Sequence, residues 1–225
     1  MAIAFVSQSS NGGTGVTSVI VTAPTSIVNN NYLILVATRR GGGGTITAPA
    51  GFTLVASGSR GSILTEMHYK KCASESGDYT ITLSASGTLN VGIAQYSGVD
   101  TTTPLDGTAT VNTSNDSTLT GTGLTVSGSD SMLLFGIGFG SGVSLTQAGS
   151  MTRRIDQSTG AANDSAVGLN EQLLSASGAT GNRTISMGFN DDYVAIMAAL
   201  KAAAAGAASL PPIRRLRSFR GLIVR

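Results

Sequence analysis

The sequence contains an internal repeat with a period of about one hundred residues. Four segments of the first half recur in the same order in the second: Tyr32–Ala37 with Met132–Ile137, Ala50–Leu54 with Ala148–Thr152, Gly77–Leu83 with Gly181–Met187, and Val91–Ala94 with Val194–Met197. Convergent composition, in a chain rich in Ser, Thr, Ala and Gly, is the competing explanation for these matches. Because the matches keep their order, we interpret the chain as two copies of one unit, joined by the turn-rich connector Ser97–Asp106.

Each copy has the pattern of a series of short β-strands. Apolar and β-branched runs alternate with turns of Gly, Ser, Asn and Asp, which is typical of a sandwich or barrel. The predicted strands are 3–7, 18–22, 32–38, 52–57, 63–71, 79–84 and 89–96, then 108–111, 119–126, 131–139, 152–155, 166–174, 183–189 and 193–200. A turn is predicted at Asn11–Gly13. The alanines of Ala195–Ala208 also permit a helix, but the match to Val91–Tyr96 favours a strand for the first part.

Two uninterrupted apolar runs, Tyr32–Thr38 and Ser131–Phe139, predict central strands that are covered on both faces. One copy has too few strands to cover both faces of such a strand, so one shared core is favoured over two tandem domains. The predicted fold class is therefore all-β, an antiparallel β-sandwich of jelly-roll or concanavalin-like type built from two sequence-related halves. Its body spans residues 1–200, with repeat units at about 17–100 and 117–200.

Composition excludes several classes of protein. Charged residues make up 12% of the chain and hydrophobic residues 41%, so the body has enough apolar material for a core and is not disordered by composition. Neither a signal peptide nor an apolar run of about 18 residues is present, so we expect neither secretion by a leader nor a membrane span. The single cysteine, Cys72, excludes an intramolecular disulfide.

Catalytic chemistry has few candidate residues. His68 is the only histidine, and Cys72 follows it four positions later. His68 lies on the predicted strand 63–71, where a non-catalytic surface histidine is expected. Glycoside hydrolysis needs two placed carboxylates, and Glu66 and Glu171 lie in corresponding strands of the two copies. An enzyme of this kind remains a third hypothesis, which requires these two carboxylates in one cleft. We predict that the protein is not an enzyme.

Cofactor and metal sites are not expected either. Arg39–Thr45 resembles a phosphate loop but lacks the Gly-Lys-Ser/Thr ending and a following helix, so a hairpin tip is the better interpretation. Asp100, Asp106, Asp191 and Asp192 are not spaced as in a calcium loop, and turn formation accounts for them more simply.

The end of the chain differs from the body. An Ala/Gly/Pro linker at 201–212 leads into the basic and apolar segment 213–225, in which no acidic residue occurs. We interpret this segment as a docking arm that binds a partner protein. Its candidate contact residues are Ile213, Arg214, Arg215, Leu216, Arg217, Phe219, Arg220, Leu222, Ile223, Val224 and Arg225. A solvated basic tail, a nucleic-acid contact and a membrane-surface helix are the alternatives; the interleaved large apolar residues favour a protein groove.

Several motifs point to a known group of proteins: PAGFTLV at 49–55, YKK at 69–71, GDYTIT at 77–82, IAQYSGVD at 93–100 and PLD at 104–106. In these motifs the chain resembles β-sandwich proteins of tailed-phage virions and bacterial surfaces, over about residues 30–200. Phe52 stands where a Trp is common. The motifs consist of turn and core residues, so the resemblance implies a fold and supplies no catalytic residues.

The resemblance and the arm together predict a non-enzymatic virion structural protein, either a capsid decoration (cement) protein or a tail-associated one. It is expected to be made in the host cytoplasm and to reside in the virion. Its expected partners are capsid or tail subunits and further copies of itself, without nucleic acid, membrane, cofactor or metal. The alternative is a receptor- or glycan-binding module on a virion or cell surface.

Overall fold

A computed structural model describes residues 2–160 and 164–204 of the chain. Every regular element among these residues is a β-strand. The strands are β1 Ala4–Val21, β2 Tyr32–Arg40, β3 Ile46–Thr47, β4 Thr53–Arg60, β5 Ile63–Lys71, β6 Tyr79–Ser97, β7 Thr110–Gly121, β8 Thr125–Val126, β9 Met132–Phe139, β10 Thr152–Ser158, β11 Ala166–Leu173, β12 Gly178–Ala179 and β13 Arg183–Leu200. The all-β prediction is therefore confirmed.

The long strands form two antiparallel sheets, each drawn from one contiguous part of the chain. The first sheet has the order β1-β6-β2-β5-β4, with β3 paired to β6. The second has the order β10-β11-β9-β13-β7, and β8 and β12 form a separate two-stranded ribbon. The sandwich thus consists of two successive units, whereas a jelly roll sends consecutive strands to different sheets.

Both sheets have the same strand order. Read from its other edge, the second sheet runs β7-β13-β9-β11-β10, so that each strand takes the place of β1, β6, β2, β5 or β4 in the first. The four segments matched in the sequence lie at corresponding places of this scheme. The residues two positions before β2 and β9, Asn30 and Asp130, share a left-handed backbone with φ of 69° and 64°. Relatedness of the two halves by sequence stays a hypothesis, which these correspondences favour.

The two sheets pack face to face around one core. Tyr32, Ile34 and Val36 of β2 face the second sheet and lie in the same cluster as Leu134 and Ile196. Every residue of β2 except the last is buried, as is every residue of β9. The prediction that these two strands are covered on both faces is therefore confirmed.

Two glycines let the sheets approach closely at the centre. Gly136 and Gly138 of β9 face the first sheet, where larger side chains would otherwise stand. A Cβ atom added to Gly138 would lie 2.1 Å from the hydroxyl oxygens of both Thr38 and Thr65. These two hydroxyls are buried and hydrogen-bonded to each other at 3.2 Å, so the contact leaves no space for a side chain.

The outer face of each sheet is covered by strands that bend over it. In β1 and β6, the pairing continues through irregularities around Gly13, Val16 and Ser18, and the strands pass from the sheet into an outer layer. There Val19 and Ile81 pack on Leu33 and other outward side chains of the first sheet. A second cluster covers the outer face of the other sheet in the same way.

These bends correct part of the strand prediction. The predicted turn at Asn11–Gly13 is wrong, because β1 runs through it from Ala4 to Val21. Likewise 79–84 joins 89–96 in β6, and 183–189 joins 193–200 in β13. Bulges absorb the Gly, Ser, Asn and Asp residues between these segments, since an extra unpaired residue bends a strand without ending it.

Candidate interaction surface

The predicted docking arm lies outside the described residues. All of its candidate contact residues, from Ile213 to Arg225, follow the last described residue, Ala204. The chain approaches the arm along the connector between the two sheets: Lys201 N–H donates to the Pro104 carbonyl at 2.8 Å, and Ala203 N–H donates to the Gly98 carbonyl at 2.8 Å. The first residues of the predicted linker are therefore anchored to the body.

His68 is buried, so the expectation of a surface histidine is wrong. It lies on the outer face of β5, where Leu64 of the same face packs against the outer apolar cluster. Its Nε2 lies 2.9 Å from Oε2 of Glu66. Both side chains are largely shielded from solvent, and their pairing gives each of these two polar groups a partner.

Glu171 lies on the inner face of β11, among residues that join the two sheets. Nε and Nη2 of Arg154 each approach its Oε1 at 2.7 Å, and the Arg154 guanidinium lies 4.1 Å from the centre of the Phe5 ring. Tyr96, fully buried nearby, has a pKa well above its ordinary value because of burial and the neighbouring Glu171 carboxylate. This cluster fastens β10 and β11 to the first sheet.

Glu66 and Glu171 consequently do not share a cleft. Glu171 adjoins Tyr96 on the inner face of the first sheet, whereas Glu66 is on the outer face of that sheet. The first sheet stands between the two carboxylates. The arrangement that the glycosidase hypothesis requires, with an acid and a nucleophile or base on either side of one sugar bond, is not formed by this pair.

Cys72 is a buried packing residue. Burial, together with the nearby Glu75 carboxylate, raises the pKa of its thiol to about 11, so that the thiol is protonated at neutral pH and is a poor nucleophile. Glu75 in turn accepts hydrogen bonds from Lys70 Nζ at 2.8 Å and from the Tyr79 hydroxyl at 2.9 Å. These contacts clamp the loop between β5 and β6.

The acidic residues considered for calcium are bonded within the protein. Asp100 caps its own turn by accepting the Thr102 and Thr103 N–H groups at 2.8 and 2.9 Å. Asp191 accepts the Ser141 hydroxyl at 2.5 Å, and Asp192 accepts Arg60 Nε at 3.3 Å. Within residues 2–160 and 164–204, no group of three or more His, Cys, Asp or Glu side chains could hold a metal ion.

Asp106 is the anchor that joins the connector to the second sheet. It is almost fully buried and accepts the Ser127 N–H at 2.8 Å, the Ser127 hydroxyl at 2.7 Å, the Gly128 N–H at 3.1 Å and the Ser131 hydroxyl at 2.6 Å. Burial opposes ionisation of the carboxyl, but the hydrogen bonds outweigh it and lower the pKa to about 2. The carboxylate holds the 127–131 loop in place.

A glycine-rich tip follows β2, and the neighbouring arginines make hydrogen bonds within the protein. Gly41, Gly42 and Gly43 all have a left-handed backbone, with φ of 76°, 69° and 63°. Arg39 donates to the Gly41 carbonyl at 2.5 Å, and Arg40 donates to the Asp164 carbonyl at 2.7 Å. A notch of about 360 Å³ adjoins this tip and is lined by Arg40, Gly41, Ser62, Ser86 and Thr88.

The most exposed part of the sheets is the strand β4. Among described strands longer than two residues, it alone has no buried residue, and Leu54 is 50% exposed. Its backbone pairs with β5 on one side, and it forms one edge of the first sheet. The sequence does not reveal this surface: the lack of charge from Thr53 to Ser59 is visible in it, but the edge position is a property of the sheet.

No protein family, curated protein or solved structure matches the chain. The described residues contain no helix that is long and apolar enough to cross a bilayer.

Proposed function

We propose that this protein is a non-enzymatic structural component of a virion, a capsid decoration or tail-associated protein that docks through residues 213–225. The proposal rests on the contrast between the body and the end of the chain. The body is a closed sandwich with buried inner and outer clusters, whereas the end concentrates arginines and large apolar residues without any acid.

The contacts of the acidic side chains support a structural role for the body. Carboxylates that a binding or catalytic site would present to a ligand are instead bonded within the fold: Glu66, Glu75, Asp78, Asp100, Asp106, Asp116, Asp156, Asp164, Glu171, Asp191 and Asp192. Such groups rigidify loops and give the sandwich a single arrangement, which suits a building block.

The test is the occupancy of the protein on assembled particles. A chain ending at Ala204 keeps every described strand and is expected to lose at least about tenfold in occupancy, measured by quantitative mass spectrometry of purified particles, because hot-spot contacts dominate binding. Lys71→Ala, which removes an exposed positive charge from the body, is the control and should leave occupancy unchanged. Normal occupancy of the truncated chain would refute docking through the arm.

The notch beside Arg40 favours one alternative, a receptor- or glycan-binding module. Its volume of about 360 Å³ falls within the range of small-ligand pockets, and its lining offers hydroxyl and guanidinium donors. A glycan array probed with the full chain and with Arg40→Ala tests this function. Sugar binding that disappears in the variant would support the glycan-binding function, and the absence of any binding by the full chain would refute it.

A further inference from the structure

Three of the four edges of the two large sheets carry features that protect them. On β1, Ser9 Oγ donates to the Thr22 carbonyl at 2.5 Å, which ties the edge strand to the layer folded over it. On β7, Asn112 Nδ2 donates to the Thr120 carbonyl at 2.8 Å in the same way. The third edge, β10, carries the charged side chains Arg153, Arg154 and Asp156. Tethers, bends and charges of this kind are how natural sheets avoid pairing with other chains.

The fourth edge, β4, is less protected, because its only such feature between Thr53 and Ser59 is an irregularity of the β-bulge type. From Thr53 to Ser59 it carries no charge and no proline, and its side chains are small apart from Leu54 and Val55. One irregularity, between Leu54 and Ala56, interrupts its pairing with β5. A neutral and exposed edge strand offers unpaired N–H and C=O groups to another strand.

Contacts with the second sheet nevertheless fix the position of β4. A Cβ atom added to Gly58 would lie 2.7 Å from Cγ1 of Val111 and 2.8 Å from Cγ1 of Val194. The strand therefore packs directly on β7 and β13 of the other sheet. A strand held in this way presents an ordered edge, and little conformational entropy is lost when a partner strand binds to it.

We propose that β4 is the interface with a second copy of this chain, in which two β4 strands pair antiparallel about a twofold axis and join the first sheets of both copies. Twofold pairing places β4 beside a second β4, so a net charge on the strand would be present on both sides of the interface and would weaken the pairing. The neutral stretch Thr53–Ser59 meets this requirement. The corresponding edge β10 does not, because its two arginines and one aspartate would put a net positive charge on both paired strands.

The charged end of β4 is already engaged. Arg60 approaches Asp192 with Nε 3.3 Å from Oδ1, and this ion pair lies within one copy. The neutral part of the strand is then left for the partner, and the half-exposed Leu54 side chain would be covered by the pairing. This inference does not depend on the docking arm.

Sedimentation equilibrium of the full chain tests the interface. We expect a dimer, and we expect Ser57→Lys to weaken it at least about tenfold, because the substitution puts like charges on both paired strands. The matched control is Thr152→Lys on β10. Both residues are exposed, so circular dichroism should show folded protein in each case. A monomeric wild type, or equal effects of the two substitutions, would overturn the proposal.

Two further measurements test the β4 interface independently of the Ser57→Lys variant. If Ser57→Lys fails to fold, hydrogen exchange of the wild type at high and low concentration replaces it: β4 amides that are slowed only at high concentration support the interface, and unchanged β4 amides refute it. A chain ending at Ala204 should dimerise as well as the full chain. Loss of the dimer in that chain would assign the contact to the arm instead.

Discussion

Asn11 and Asn112 make the same hydrogen bond in the two halves of the molecule. Each donates from Nδ2, at 2.8 Å, to a carbonyl of the returning part of its own long strand, Ile20 for Asn11 and Thr120 for Asn112. Both bonds lie where an edge strand bends from its sheet into the outer layer. A local contact that holds this bend is therefore present once in each half.

Replacing these asparagines tests how much the bends contribute to stability. Asn11→Ala is expected to lower the free energy of unfolding by about 1 kcal/mol. Asn112→Ala should cost more, because Asn112 is less exposed and also reaches the Tyr193 hydroxyl at 3.3 Å. Denaturant titration measures both values. The sites are in different halves, so the double variant should be additive within about 0.5 kcal/mol; strong coupling would contradict independent bends.

Asp106 is expected to make the protein sensitive to acid. Its pKa of about 2 lies below the ordinary value of 3.8, so the ionised carboxylate stabilises the fold above about pH 4, and this contribution is lost as the pH falls towards 2. The contribution is about 2 kcal/mol. Urea unfolding at a series of pH values should show a shallower loss between pH 4 and 2 for Asp106→Asn than for wild type.

The control for that experiment is Asp130→Asn, at an exposed position of the same loop. It should keep the acid dependence of the wild type. Equal slopes for wild type and Asp106→Asn would show that the hydrogen bonds of Asp106 do not favour its ionised form.

Gly138→Ala should destabilise the contact between the two sheets. The new methyl group would meet the buried Thr38 and Thr65 hydroxyls, and overpacking of this kind costs about 1–3 kcal/mol. Gly128→Ala is the control, because its nearest atoms, on Asp106 and Ser131, are 3.5 Å away. In thermal unfolding, the control should have a Tm close to that of the wild type. Adding Thr65→Ala to Gly138→Ala should recover part of the stability that Gly138→Ala loses.

The Arg154–Glu171 pair should matter more than an exposed pair. Glu171→Gln leaves the Arg154 guanidinium without its carboxylate inside the sheet interface and is expected to cost about 2 kcal/mol, less than for a fully buried pair because Arg154 is partly exposed. Asp192→Asn, which breaks the exposed pair with Arg60, should cost below about 1 kcal/mol. Chemical denaturation gives both values, and the reverse ranking would contradict the structure.

The sequence predicts correctly those strands whose residue pattern depends only on burial. The apolar runs of β2 and β9 show that both faces are covered, and the structure confirms it. The polar residues Asn11, Gly12 and Gly13 resemble a turn but lie within β1, because a bulged strand accepts the same residues as a loop. From the sequence alone, a bend that continues a strand cannot be distinguished from a turn that ends it.

The surroundings of the candidate residues were harder to predict than the strands. The sequence predicts a surface position for His68 on a strand, yet His68 is buried on the outer face of β5. Glu66 and Glu171 lie on β5 and β11, which hold the same place in the two strand orders, but the first sheet separates the two carboxylates. Such relations depend on register and layer order, which are set by contacts far apart in the chain.

The separation of the two sheets along the chain has a consequence for synthesis. The first sheet needs only residues 4–97, so it can form while the ribosome is still translating the second half. Its inner face, with Ile34, Val36 and Met67, then has no cover until β9 and β13 emerge. A nascent chain at this stage exposes apolar surface and is prone to aggregate, so slow translation between residues 110 and 200 should lower the yield of soluble protein.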